Sequence, residues 1–373
     1  MKERTIKKLL FAIIIGVYCC ACSSRETTYL IEGNWKDGDG KVVYLKANSD
    51  KISEILDSAV VVDGKFKMQQ PLQDVFSRVL EINGMKHYII LDSEPITVDC
   101  QTVKGEIKGR EFSRVDVKIK GSIEQDIFKT MLQAHQMELF VMLGMATSKK
   151  GQLDVQDTLF QTYLKATQNT VHTIDSLVSH YPDNYASALI LHDFVAKQRE
   201  LPEVERMYAG LTPRIQQSAL GRQVKDIIDS RKVVAVGSLA PDFTLQTPEG
   251  NKLSLTDLRG KYVLLDFWAS WCKPCIAEAP NVKNVYKRFH NKGFEVLGVS
   301  LDNKRELWTD AIAKHRLDWL HVSSLEGWKC PVAKLYSVTG IPATFLLDPE
   351  GKIIASKLRG EELMEMVEKL LNQ

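Results

Sequence analysis

Net charge is what this sequence has least of: 49 Lys and Arg stand against 47 Asp and Glu among its 373 residues, a formal +2 at neutral pH. The basic residues are spread along the chain, so no patch asks for a nucleic-acid partner. A membrane-spanning run is missing as well. The apolar stretch Leu9–Tyr18 falls short of the ~20 residues that a spanning helix needs. Cysteine is sparse over most of the length. Of seven, Cys19, Cys20 and Cys22 crowd the start, leaving Cys100, Cys272, Cys275 and Cys330. A chain this long does not depend on disulfides for its core, which excludes a disulfide scaffold. Nor do His135, His172, His180 and His192 meet a second donor at ligand spacing, so no metal site is expected. Internal repeats are absent.

What is present begins with an export-like start. Lys2, Arg4, Lys7 and Lys8 precede the apolar run, and Cys19-Cys20-Ala21-Cys22 leads into polar Ser23–Glu26. This resembles a bacterial lipoprotein signal over residues 1–22. The resemblance implies acylation of Cys22, with Cys20 as the alternative, and hence a lipid anchor to the membrane. The protein would then sit in the cell envelope facing the periplasm, with surface exposure left open.

Beyond the signal, three regions differ in texture. Residues 23–120 read as a small all-β, sandwich-like domain. Lys41–Leu45, Ala59–Val62, Ile96–Cys100 and Val115–Ile119 are β-rich runs, and Asp63-Gly64 and Asn83-Gly84 each suit a tight hairpin turn at positive φ. Residues 121–232 read as a helical domain. It is announced by Ser122-Ile123-Glu124-Gln125, which has the form of a capping box. Thr212-Pro213 marks a later helix start. Residues 233–373 alternate strand with helix, which argues for an α/β domain. There Tyr262–Trp268 is a near-continuous apolar run, as a strand buried on both faces requires, and Phe294–Ser300 reads as the next strand.

The chemistry lies at Cys272-Lys273-Pro274-Cys275, just after the first of those strands and opening a helix. A cysteine at a helix N-terminus meets free N–H groups and the positive end of the helix dipole, which stabilise a thiolate. Cys272 is thus the expected nucleophile, with Cys275 one turn later to close a disulfide on it. Haem attachment would need His after the second cysteine, where Ile276 stands. Zinc would need two further ligands, and Cys100 and Cys330 are isolated.

Phe267–Cys275 resembles the active-site stretch of thioredoxin-like proteins, in particular the envelope thiol–disulfide reductases related to cytochrome c maturation. Pro241–Leu245, Leu255–Lys261 and Gly340–Thr344 match the family's opening segments and its cis-proline loop. The upstream regions resemble extensions on such lipoproteins in Bacteroidetes. The resemblance implies a buried aspartate, here Asp266, accepting the proton of the resolving cysteine. It also implies an acidic partner at Glu278, a cis bond at Pro342, and a contact surface for partner chains made of Trp271, Ile341 and Pro342. No metal or organic cofactor is implied. The expected partners are disulfide-bearing envelope proteins and an upstream membrane electron donor. Peroxiredoxins share the fold and the Pro-Asp-Phe opening, but Ala269-Ser270-Trp271 replaces the Thr and Pro that precede their reactive cysteine. A second alternative is an envelope binding lipoprotein with an accessory redox domain. The direction of exchange stays open, because it depends on a potential the sequence does not carry.

Overall fold

The computed structural model describes residues 28–47, 54–72, 75–107, 110–147 and 158–372. The segment holding Cys20 and Cys22 lies outside them. No helix among the described residues is long and apolar enough to cross a membrane. The chain forms two compact units, divided between Leu177 and Val178.

The first unit opens with eight strands: β1 (Thr28–Trp35), β2 (Val42–Ala47), β3 (Ile55–Val60), β4 (Lys65–Pro71), β5 (Phe76–Ile82), β6 (Met85–Leu91), β7 (Ile96–Ile107) and β8 (Arg110–Lys120). They make two four-stranded sheets, ordered β4-β1-β7-β8 and β3-β2-β5-β6. Alternation along β1 sends Tyr29, Ile31 and Trp35 inward, where they meet Leu45, Leu80, Ile82 and Ile89 of the other sheet in one buried cluster. Two sheets closing on a shared apolar layer make a sandwich.

Asn83 and Gly84, at φ 51° and 77°, turn β5 into β6 as a hairpin. Asp63 and Gly64 also have positive φ, but their turn does another job. Only Val62 and Lys65 pair across it, and the flanking strands then part, β3 pairing with β2 and β4 with β1. The turn carries the chain from one sheet to the other.

Helix α1 (Ile123–Thr147) starts where its sequence announces it, though not through a capping box. The Ser122 hydroxyl donates instead to Asp92, and the Gln125 side-chain oxygen accepts from the Ile90 N–H at 2.8 Å. Both side chains pin the helix start to β6 and the turn after it. Helix α2 (Thr158–His180) follows, and the division between the units falls near its end.

The second unit continues with α3 (Tyr185–Ile190), α4 (Leu201–Ala209), α5 (Pro213–Gln216) and α6 (Ala219–Val233), so helices from the 121–232 stretch occur in both units. Thr212 and Pro213 stand at the N-cap and first position of α5, where the missing proline N–H costs nothing. Then come β9 (Thr244–Gln246), β10 (Lys252–Ser254), β11 (Tyr262–Trp268), α7 (Lys273–Phe289), β12 (Phe294–Ser300), α8 (Arg305–His315), β13 (Leu320–Ser323), α9 (Pro331–Leu335), β14 (Ala343–Leu347), β15 (Ile353–Ser356) and α10 (Gly360–Leu371).

The seven strands form one mixed sheet in the order β10-β9-β13-β12-β11-β14-β15. β11, β12 and β13 run parallel, and β14 returns antiparallel beside β11. Every residue of β12 is buried, Glu295 included, as a strand at the centre of a covered sheet must be. This is the α/β, thioredoxin-like architecture expected of the C-terminal region.

Candidate active site

β11 ends at Trp268, and four residues later Cys272 caps α7. Cys272 and Cys275 are joined as a disulfide with Cα atoms 5.3 Å apart. Both are buried, whereas Trp271 beside them is half exposed. The Cys272 Sγ accepts from the Cys275 N–H at 3.2 Å, and its carbonyl accepts from the Ile276 N–H at 3.1 Å. A donor already aimed at the sulfur would stabilise a thiolate there once the bond opens.

The loop before the dithiol is held by a residue that sequence reasoning passed over. Asp302 is fully buried just past the end of β12. It accepts from the Ser270 N–H at 3.0 Å, the Ser270 hydroxyl at 2.6 Å and the Ser300 hydroxyl at 2.8 Å. Its position at the C-terminal edge of a parallel strand, where such sheets place their sites, was the available signal.

Asp266 sits inside β11, paired with Gly298 of β12 on one side and Thr344 of β14 on the other. Its carboxyl keeps a little surface, yet desolvation raises its pKa to about 7; Glu278 adds to the rise and Arg359 opposes it. Glu278 lies one turn beyond Cys275 on α7, so the two share a helix face. It is fixed there by the Gly360 N–H at 2.7 Å and by Asn281 at 3.0 Å.

The antiparallel register sets Ala343 opposite Phe267, which brings Pro342 level with Trp268 at the end of β11 from which the dithiol loop departs. The Ile341–Pro342 bond is cis. Pro342 is buried and Ile341 partly so. Arg359 donates to the Pro342 carbonyl at 2.5 Å. Each expected site residue of this unit therefore lies at one end of β11. Trp328 joins them unannounced: it is half exposed, with its ring 6.2 Å from that of Trp271. Nothing local in the sequence set Trp328 or Arg359 apart.

Among the remaining polar groups, His321 of β13 is buried against Trp268 and Trp319, and desolvation lowers its pKa to about 4. It is a neutral core histidine. Cys330 is fully buried and Cys100 half-buried, both free; burial raises the Cys100 thiol to about 11.

Known proteins match this chain in two places. Residues 236–356 match the AhpC/TSA family, and residues 29–128 match a domain of unknown function, DUF4369. A thiol-disulfide oxidoreductase ResA of Bacillus cereus is 33% identical over 143 residues, which are 38% of this chain and 80% of the relative. The chain belongs to the thiol–disulfide oxidoreductase family. The ResA of Bacillus subtilis is 32% identical over 137 residues, 36% of this chain and 75% of that protein. Among solved structures, the thioredoxin domain of a thiol-disulfide oxidoreductase from Bacteroides vulgatus is 42% identical. It covers 37% of this chain and 99% of its own, with a TM-score of 0.36. A thiol-disulfide oxidoreductase from Bacteroides fragilis is 40% identical over 36% of this chain and 100% of its own, with a TM-score of 0.35. The C-terminal domain is thus that of an oxidoreductase enzyme, and residues 129–235 lie between the two matched regions.

Proposed function

We propose that the protein reduces disulfides in envelope proteins. The Cys272 thiolate attacks one sulfur of a substrate disulfide, forming a mixed disulfide and expelling the other sulfur as a thiolate, which takes up a proton. Cys275 then gives its proton to Asp266 and attacks the Cys272 sulfur, expelling the second substrate sulfur as a thiolate, which takes up a proton. Two electrons pass to the substrate, and the enzyme is left with the Cys272–Cys275 bond. A dithiol donor on the membrane side restores it by the reverse exchange.

The observation that carries this reading is an unbonded, desolvated carboxyl on the strand that leads into the dithiol. No hydrogen bond occupies Asp266 among the described residues, and its raised pKa leaves it divided between acid and base near neutrality. A proton acceptor for a thiol needs that poise. Glu278 assists by raising it. Trp271, Ile341 and Pro342 form the surface on which the partner chain lies. A Cys22 lipid anchor would keep this site in the envelope.

Measuring the Cys272–Cys275 potential alongside insulin-disulfide reduction tests the direction. A value near that of thioredoxin, about −270 mV, with rapid insulin reduction is expected; one near about −120 mV would identify an oxidant instead. Mass spectrometry of the mature N-terminus should find acyl chains on Cys22.

A further inference from the structure

Four consecutive residues, from Lys357 after β15 to Gly360 at the start of α10, each bond to part of the site. The Lys357 N–H donates to the Thr344 carbonyl at 2.9 Å. The Leu358 carbonyl accepts from the Thr344 hydroxyl at 3.0 Å. Arg359 donates to the Pro342 carbonyl, and the Gly360 N–H to Glu278. Thr344 is the neighbour of Asp266 across the β11–β14 ladder. One short connection therefore holds the cis-proline loop, the strand beside the buried acid and the acid's charged neighbour.

Within that connection only Arg359 bonds into the site through a charged side chain. The surroundings of Asp266 show what it adds. From β12 comes Gly298, with no side chain, and from β14 comes Thr344, which does not titrate. From α7 comes Glu278, an anion that disfavours charge on Asp266. Arg359 is the cation that favours it. An arginine is suited to this double task, because its fork can hold a carbonyl with one nitrogen while the delocalised charge stays within reach of a carboxylate. Lys357 in the same connection does not share it, since its ammonium is 2.6 Å from Glu200.

We propose that Arg359 is a positioning residue, whose guanidinium ties the cis-proline loop to the Asp266–Glu278 pair and sets the pH at which the resolving step works. The proposal rests on Asp266 being the proton acceptor. It does not make Arg359 a catalytic residue, since Arg359 acts through Pro342 and Asp266. Losing the charge strengthens the proton's hold on Asp266, so the base form becomes scarcer at neutral pH and returns at higher pH. The chemistry is delayed along the pH axis rather than lost.

The test is the pH profile of mixed-disulfide resolution in single turnover, using the full chain with Arg359→Gln, Arg359→Lys and Asp266→Asn. Arg359→Gln should move the profile's midpoint upward by about one unit, slowing resolution about tenfold at pH 6 and little at pH 9. Arg359→Lys should return the midpoint to that of the parent. Arg359 is exposed, so neither change removes core packing, and a purely structural role would alter the melting temperature without moving the midpoint. An unmoved midpoint in Arg359→Gln, with a flat profile in Asp266→Asn, overturns the role of Arg359 alone. A profile that Asp266→Asn leaves intact overturns the proton-acceptor assignment, and this proposal with it.

Discussion

The sandwich of the first unit and the mixed sheet of the second solve the same packing problem and keep different residues inside. In the sandwich, strands such as β1 alternate, so polar side chains have a wet face to occupy. Its buried polar residues are few, chiefly Ser77 and Asp92. In the mixed sheet β12 is covered on both faces, and polar groups along the inner strands have no exit. Yet Glu295, Asp302 and His321 are buried there, and Asp266 is largely withdrawn from water.

Interior charge costs free energy unless it is paired. Glu295 is answered by Lys261 at 3.1 Å, Asp302 by three donors, and His321 stays neutral. Asp266 alone of these has no hydrogen bond among the described residues. A buried ionisable group left without a bond in an otherwise satisfied sheet is where chemistry is to be sought.

Three changes would break or sharpen that contrast. The largest effect belongs to Cys272→Ser. It should lower insulin-disulfide reduction by more than about a thousandfold, because a hydroxyl is not ionised at neutral pH. The thermal unfolding of the sandwich should be unchanged. Retained turnover would remove the dithiol from the mechanism.

Next comes Ile82→Ala in the shared layer of the sandwich, where Ile82 is fully buried. It should cost about 3 kcal/mol in denaturant unfolding of that unit, with the dithiol potential untouched. A shifted potential would show that the sandwich tunes the site.

The smallest effect is that of Asp266→Asn on stability, and it has a sign. The folded-state pKa of Asp266 is raised from 3.8 to about 7, so ionisation is disfavoured on folding. The parent is therefore most stable, relative to the variant, below about pH 4 and loses ground as pH rises through 7. Replacing the carboxyl by an amide should add stability at pH 8, with about 4 kcal/mol as the ceiling that a shift of about three units sets, and nothing at pH 4. Equal stability of the two proteins at both pH values would mean that Asp266 is not desolvated.

Local signals were legible where the physics is local. Asn83-Gly84 needs positive φ wherever it stands, and the hairpin followed. Cys272 at the head of a helix and Asp266 within an apolar run were likewise readable from spacing alone. Signals that depend on what lies nearby in space were not. Asp63-Gly64 looks the same in sequence as the hairpin turn, but here the two chains part into different sheets. Ser122 and Gln125 have the spacing of a capping box and bond to β6 and the turn after it instead. Asp302, Trp328 and Arg359 carry no local mark, being 30, 56 and 87 residues from Cys272 along the chain.

By itself the sequence marked the cysteine pair at a helix start and a carboxyl within the apolar strand before it, the role of that carboxyl being what the family resemblance implies. Helix position, dipole and desolvation act over a few neighbouring residues. Only the tertiary structure decided how that acid is poised. The cation opposing its neutral form, the cis-proline carbonyl that cation holds and the helix end that fixes Glu278 arrive from the far end of the domain, brought there by the antiparallel return of β14 beside β11 and the connection that follows β15.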